Sequence, residues 1–280
     1  MLSFEPPRYG PESTLGGCIA SGLSGPRRMA AGSVRDFVLG AKLLDSTGNV
    51  LSFGGEVMKN VAGYDLSRLL AGSMGIFGAL MELSIKVAPK PFEEATVVLE
   101  IDEAGALELF NLWRGLPIPI TATAWLPEER GSGGRLYVRV SGSEPAVSNG
   151  VKRVGGQGMA QAPAQEFWNS LRDQTHAFFL ARPLWRVAVP PATAALGAGP
   201  TLIEWNGGLR WLSSVTSPAD LRTRVASLGG HASLYRYDSK PDDVPVFHPL
   251  EPGLRNINCR VKQELDPVGI FNPKRLFPDF

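Results

Sequence analysis

An α+β fold in two parts is what this sequence predicts, on three observations. The stretch from Phe53 to Val87, FGGEVMKNVAGYDLSRLLAGSMGIFGALMELSIKV, joins a glycine-dense loop, a short helix and a strand. Ala88-Pro89-Lys90-Pro91 then interrupts the chain, because two prolines deny a strand its ladder hydrogen bonds. From Glu94 onward strand-like and helix-like periods alternate, the pattern of an antiparallel sheet carrying helices on one face.

Taken in order, residues 1–33 read as a loop, with Pro6, Pro7, Pro11 and repeated glycines and little apolar periodicity. A loop this long inside a compact domain usually serves a ligand. Phe37, Leu39, Ala41 and Leu43 alternate with their neighbours, and Thr47-Gly48-Asn49 turns the chain into Val50–Phe53, which predicts a β-hairpin. Asp65 is placed to cap a helix over Leu66–Leu70, and Gly72 to end it. Met81, Leu83, Ile85 and Val87 alternate with polar residues as a half-buried strand does. Beyond the proline break, strands are expected over Thr96–Ile101, Ile120–Trp125, Leu136–Val140, Trp185–Val189, Thr201–Trp205, Leu209–Leu212 and Ser233–Tyr237. Helices are expected from Asp102 to Trp113, over Ala146–Val154, near Phe167–Leu171, across Leu221–Leu228 and from Leu254 to Leu265, where Asp266-Pro267 stops the last. This order suggests two ferredoxin-like halves, with Gly155-Gly156-Gln157-Gly158 and the run from Pro190 to Pro200 as loops.

Composition narrows the function classes. The 280 residues carry 28 Lys plus Arg against 27 Asp plus Glu, so no global field favours nucleic acid or an anionic membrane, and any anion site must be local. The apolar runs fall short of the roughly 20 residues that a membrane-spanning helix needs. No secretory signal is read at the start of the sequence, and the protein is expected in the cytoplasm or held at the inner membrane by partner subunits. Cys18 and Cys259 read as packing thiols. His176, His231 and His248 lack paired spacing, so no metal site is expected. Gly72, Gly75 and Gly78 are spaced GxxGxxG and precede a strand, which excludes a Rossmann fingerprint, and no GxxxxGK[ST] is present. Arg27 and Arg28 follow Gly25-Pro26 on a loop, where a guanidinium can clamp a phosphate or a substrate carboxylate or lie solvated at the surface. Arg35 and Asp36 read as a structural ion pair.

Several motifs stand together: TLGG at Thr14 to Gly17, SGPRR at Ser24 to Arg28, SVRDFVLG at Ser33 to Gly40, KNVAGYD, AGSMGIFG at Ala71 to Gly78, and DPVGIFNPKRL at Asp266 to Leu276. In this the chain resembles FAD-binding oxidases of the vanillyl-alcohol oxidase (PCMH) type, and most closely the FAD-binding subunits of bacterial glycolate oxidases. The resemblance implies an FAD-binding domain over 1–91, present as its second subdomain, a ferredoxin-like antiparallel-sheet cap domain over 92–245, and a C-terminal helix and tail, 246–280, returning to the FAD domain. Family members carry a further N-terminal segment with its own phosphate-binding loop. A chain lacking it is expected to hold FAD weakly.

By resemblance Thr14, Gly16, Gly17, Ser21 and Ser24 are assigned to the cofactor, and Gly75, Gly78 and Leu80 to its adenosine side. The chemistry fits, since a pyrophosphate is met by main-chain N–H groups where no β-carbon intervenes. Lys59, Tyr64 and His231 are candidates near the flavin, and Arg27 and Arg28 for the substrate. The implied function is an FAD-dependent subunit of a complex oxidising a 2-hydroxy acid such as glycolate, with a related flavoprotein subunit and an iron–sulfur subunit as partners. The alternative is a non-catalytic assembly or electron-relay subunit.

Overall fold

The structure, a computed structural model, describes residues 1–55, 65–128 and 133–278. The chain forms two compact units, one of Met1–Gly25, Gly32–Ala88 and Pro249–Phe280, the other of Pro26–Ala31 and Pro89–His248. In chain order the elements begin with helix α1 (Leu15–Ser21), the single turn α2 (Arg28–Ala31), strands β1 (Val38–Leu44) and β2 (Val50–Gly54), helix α3 (Leu66–Leu69) and strand β3 (Ala79–Ile85). There follow β4 (Glu93–Glu100), α4 (Glu103–Arg114), β5 (Ile120–Pro127), β6 (Gly134–Gly142), α5 (Glu144–Val154), β7 (Gln157–Met159), α6 (Gln161–Arg172), β8 (Leu184–Ala188), β9 (Thr201–Glu204), β10 (Leu209–Ser213), α7 (Pro218–Ser227), β11 (His231–Arg236) and α8 (Pro252–Leu265).

In the first unit β1 pairs antiparallel with both β2 and β3, giving the order β2-β1-β3. The expected hairpin forms because Asp45 Oδ1 accepts hydrogen bonds from Thr47 N and Asn49 N, each at 2.9 Å, inside the turn. Asp65 caps α3 by accepting from Arg68 N at 3.3 Å and Ser67 Oγ at 2.5 Å. Ala41, Leu43, Leu70, Ile76, Phe77 and Leu265 form the core of this unit. The loop expected over residues 1–33 instead contains α1 and α2. Two caps outweigh the poor helix propensity of Gly16 and Gly17: Thr14 Oγ1 accepts from Gly17 N at 3.0 Å, and Gly22, at φ 67°, donates its N–H to Ile19 O.

The second unit is built on one eight-stranded sheet of order β11-β8-β10-β9-β5-β6-β4-β7, with every described pairing antiparallel. The strands β4, β5, β6 and β7 stand in the order second-third-first-fourth, with α4 and α5 as crossovers, which is the ferredoxin-like arrangement. The strands β8, β9, β10 and β11 repeat it with α7 as the second crossover. The first crossover there is the proline-rich stretch 190–200, whose Leu196 is buried against Trp185, Leu212 and Val225 in place of a helix. The two halves join where Ala124 and Trp125 of β5 face Glu204 and Ile203 of β9.

Helices cover both faces of this sheet, not one. Val97 packs with Phe110, Trp113 and Val147 of α4 and α5, whereas its neighbour Thr96 accepts a hydrogen bond at 2.9 Å from Trp168 Nε1 of α6. Adjacent strand residues point to opposite faces. The glycine cluster expected to be loop contributes the three-residue edge strand β7, paired to β4.

The C-terminal part of the first unit is fixed by one buried ion pair. Lys262 Nζ, on α8, donates to Asp266 Oδ2 at 2.5 Å, Ile76 O at 2.6 Å and Phe271 O at 2.7 Å. Asp266 in turn accepts from the main-chain N–H groups of Gly269, Ile270 and Phe271 at 2.9, 3.0 and 2.9 Å. Every donor of the ammonium and both carboxylate oxygens are thus engaged, the condition under which a buried pair is tolerated. Burial pushes the Asp266 carboxyl up, but the hydrogen bonds from Lys262, Phe271 and Ile270 outweigh it and hold it down at about 2. A depressed carboxylate stabilises the fold above its unfolded value and loses that contribution as pH falls through the folded one. Asp266→Asn is therefore expected to cost about 2–3 kcal/mol at neutral pH, and the parent to lose the same amount between about pH 4 and pH 2. Hydrogen exchange at the amides of Gly269, Ile270 and Phe271 measures it; equal protection in variant and parent would refute the role.

Candidate functional site

In the first unit the structure brings the glycine motifs together. The loop carrying AGSMG is bound to the end of α1, with Gly72 N donating to Ile19 O at 2.9 Å and Met74 N to Ala20 O at 2.8 Å. Gly22 and Gly72 meet so closely that a β-carbon on Gly22 would lie 2.6 Å from Gly72 Cα. From the C-terminal motif, Asn272 Nδ2 donates to Met74 O at 2.6 Å.

The glycines of these motifs divide into two kinds. Gly75, at φ 72°, and Gly78, at φ 150°, are bare for reasons within the chain: β-carbons there would stand 2.9 Å from Asn272 Nδ2 and 2.5 Å from Leu44 O. Gly16 has no such reason. Its φ is not left-handed, and a β-carbon there would meet nothing nearer than Leu80 Cβ at 4.0 Å. Bare backbone that the protein itself does not require, at the exposed start of α1, fits a large ligand approaching the main chain. Of the other assigned residues, Ser21 Oγ donates to Cys18 O at 2.9 Å and Ser24 Oγ accepts from Val34 N at 3.0 Å. Leu80 is half-buried beside the core of this unit. Burial pushes the Cys18 thiol up to about 11, which suits a packing thiol. Lys59 and Tyr64 lie outside the described residues.

In the second unit the two arginines of SGPRR have different partners. Arg27 is buried and its Nη2 donates to Glu94 Oε2 at 2.6 Å; the same oxygen accepts from Ser141 Oγ at 2.7 Å and lies 3.6 Å from Arg139 Nε. Arg28 places its guanidinium carbon 4.5 Å from the centroid of the Trp205 ring. Arg186 of β8 lies 5.2 Å from the same ring and 5.9 Å from that of Trp211. Trp211 Nε1 donates to the buried carboxylate of Glu204 at 2.7 Å. Strand alternation puts Arg186 on the α6 face, since its neighbours Trp185 and Val187 pack with Leu221 and Val225 of α7. Ser233 of β11 is its register partner, so His231 shares that face.

Trp205 reaches this position through a strained hairpin. Trp205, Asn206 and Gly207, between β9 and β10, hold φ of 56°, 51° and 91°. Non-glycine residues in this region cost of order 1 kcal/mol or more each and persist only when the surroundings over-determine them. Thr123 Oγ1 accepts from Asn206 N at 3.0 Å and donates to Asn206 Oδ1 at 2.9 Å. From β10 the fully buried Arg210 donates through Nε to Gly207 O at 2.8 Å and through Nη2 to Thr193 O at 2.9 Å.

These motifs have close counterparts in known proteins. The chain is 41% identical over 281 residues to the glycolate oxidase subunit GlcE of Escherichia coli (strain K12), covering 100% of this chain and 76% of that protein. It belongs to the GlcE family of glycolate oxidase subunits. Over 111 residues, 39% of this chain and 24% of the relative, it is 40% identical to the glycolate oxidase subunit GlcD of Bacillus subtilis (strain 168). It is 25% identical to the mitochondrial D-2-hydroxyglutarate dehydrogenase of Bos taurus over 321 residues, covering 94% of this chain and 59% of the relative. A solved alkyldihydroxyacetonephosphate synthase shares the fold at TM-score 0.63 and 15% identity, over 98% of this chain and 61% of that one. The α+β class expected from the sequence is the one observed. No protein-family profile matches the chain. Among the described residues no helix is long and apolar enough to cross a membrane.

The gathering of Arg186, Trp205, Trp211 and Glu204 near Arg28 was not legible in the sequence. The available signals were a lone arginine in the apolar strand LWRVAV and the turn residues Asn206-Gly207-Gly208 directly after a tryptophan. The hairpin that positions Trp205 is open to a direct test. Thr123→Val keeps the side-chain volume but leaves the Asn206 N–H and amide oxygen without this partner, and is expected to cost about 1–3 kcal/mol. Urea unfolding followed by tryptophan fluorescence measures this, because all six tryptophans of the chain lie in the second unit. A midpoint equal to the parent's would show that Thr123 does not hold the turn.

Proposed function

We propose that this chain is an FAD-carrying subunit of a complex that oxidises a small 2-hydroxy acid, glycolate foremost. The observation that carries the reading is the identity with GlcE along the whole chain. The similarity to GlcD, to D-lactate dehydrogenases and to D-2-hydroxyglutarate dehydrogenase supports the substrate class, since each of those names a 2-hydroxy acid or the subunit of an oxidase for one. A GlcD-type flavoprotein and an iron–sulfur subunit that accepts the electrons are its proposed partners.

The residues present fit an FAD pyrophosphate at the start of α1. Gly16 and Gly17 expose first-turn main chain without a β-carbon; the Gly17 N–H is taken by Thr14 Oγ1, which fixes that turn and leaves the Gly16 N–H as the donor with no partner within the helix. Thr14, Gly16, Gly17, Ser21 and Ser24 would frame the phosphates, with Gly75, Gly78 and Leu80 on the adenosine side. When bound, FAD supplies the two-electron acceptor that takes the hydride from the α-carbon of the hydroxy acid, whose hydroxyl proton is also lost, leaving a 2-oxo acid. The chain's own part is to bind, to orient and to exclude water.

Gly16→Ala separates this role from a structural one. A methyl group on Gly16 meets Leu80 at an ordinary contact distance, and alanine favours a helix over glycine by up to about 1 kcal/mol, so stability should hold or rise. Flavin should be held about tenfold more weakly, a loss of about 1.4 kcal/mol, if main chain meets phosphate here. The flavin-to-protein ratio of the purified complex is the readout, and an unchanged ratio in the variant would remove the assignment.

A further inference from the structure

The eight-stranded sheet of the second unit ends in two edges, and the fold treats them differently. Along β11 the outward main chain is taken up by the unit itself, with Leu234 N donating to Val246 O at 2.8 Å and Ala232 N to His248 Nδ1 at 3.3 Å. At β7, among the described residues, no main-chain hydrogen bond beyond the sheet's own reaches residues 156–159, and Gly156, Gln157 and Gly158 are exposed. An open edge is a template for another strand.

Register decides which groups face outward. Ile101 N, just past β4, donates to Gly134 O at 3.0 Å, and β4 pairs with β6 from Glu93 to Glu100 without a shift. The odd-numbered residues of β4 therefore turn their main chain toward β6 and the even-numbered ones toward β7. Gln157 and Met159, opposite Val98 and Thr96, bond to β4, which leaves the N–H and C=O of Gly158 pointing away from it. Gly158 is also bare without need, since its φ is not left-handed and a β-carbon there would meet nothing within 4 Å. Glycine weakens a strand and is found where another backbone comes close. Beside this edge, on the α6 face, lies a cleft of about 650 Å³ lined by Val98, Glu100, Arg135, Tyr137, Gln157 and Met159. The Tyr137 ring stacks on Phe167 of α6 with centroids 3.9 Å apart. Glu100 and Arg135 stand opposite each other in register, and no ion pair among the described residues uses either.

We propose that the β7 edge receives an extended peptide segment of another protein chain as a ninth strand, its main chain meeting Gly158 and one of its apolar side chains entering the cleft. One carboxylate and one guanidinium balance the charge of the cleft, so it selects no strongly charged segment. In the complex proposed above the donor of the segment is the GlcD-type subunit, and that choice of donor rests on the proposed function. A second copy of this chain fits less well. The strand β7 pairs over three residues, between Gly155 and Gly156 at φ of 74° and 84° and the start of α6. Two such edges would bring two turns and two helix starts together, whereas a peptide segment runs on past both ends.

The test is hydrogen exchange, read residue by residue, on the purified full chain alone and mixed with purified GlcD-type subunit, with association followed by sedimentation. The Gly158 amide should exchange at least tenfold more slowly in the mixture, while the amides of Thr96 and Val98, which bond to β7, stay protected in both. Gly158→Pro removes the outward N–H at an edge position where proline is tolerated and should weaken association at least tenfold; Gly158→Ala keeps the donor and should bind like the parent. Protection of Thr96 and Val98 in the proline variant reports that β7 is intact, and where it is lost the exchange of Gly158 in the parent still decides. Association of the parent without slowing at Gly158, or a proline variant with β7 intact that binds as tightly as the parent, would overturn the edge site and leave the proposed function standing. Failure of the parent to bind the GlcD-type subunit would overturn the partnership and the edge site together. Self-association of the chain that slows Gly158 would give the edge to a second copy and overturn the proposal as well.

Discussion

The left-handed run Trp205-Asn206-Gly207 constrains the larger unit. It lies at the hairpin between β9 and β10, and β9 is also the strand that joins the two ferredoxin-like halves through β5. Three successive residues with positive φ do not persist through local preference in an L-amino-acid chain. They persist here because the turn is held from two sides. Thr123 of the neighbouring strand closes two hydrogen bonds with Asn206, and Arg210 reaches the carbonyl of Gly207. Burial pushes the Arg210 guanidinium down to about 10, opposed by the charge of Glu103, whose Oε1 lies 3.8 Å from Arg210 Nη1. Neither of those two atoms has a hydrogen-bond partner, so the charge is kept for its grip on the turn rather than for a well-made ion pair.

The smaller unit shows the same separation of structural from spare features, written in glycine. Gly22 and Gly72 touch, Gly78 fits under the Leu44 carbonyl, and Gly75 makes room for Asn272. Each is accounted for by folding alone. Gly16 is not, and its bareness carries information about something outside the chain. A motif rich in glycine is therefore not one signal but two, and only the fold separates them.

Local physics made most of the elements readable. Asp65 and Asp102 announced α3 and α4, and both accept the main-chain hydrogen bonds that a cap requires. Alternation located β1 and β3, and the prolines at 89 and 91 fell at the border between the units. What failed was non-local. The helix α1 is glycine-rich and survives through its two caps and the burial of Ile19, so its composition read as loop. The strand β7 exists because β4 offers an open edge, and α6 covers the second face because Trp168 finds Thr96 across 72 positions of sequence. The ring of Trp205 brings together Arg28 from α2 and Arg186 from β8, which no window along the sequence contains.

The hexapeptide Pro26–Ala31 lies, in sequence, within the stretch that builds the smaller unit, yet it belongs to the larger one, tied there through Arg27 to Glu94 and through Arg28 to Trp205. The larger unit is thus discontinuous, and cutting the gene at the proline border does not yield a complete module. A recombination event that exchanged residues 89–248 for those of a relative would leave Glu94, or whatever replaced it, facing a hexapeptide of the other parent. Compatibility at these six positions, far from either crossover point, would then bear on whether such a chimaera kept the contacts of Arg27 and Arg28.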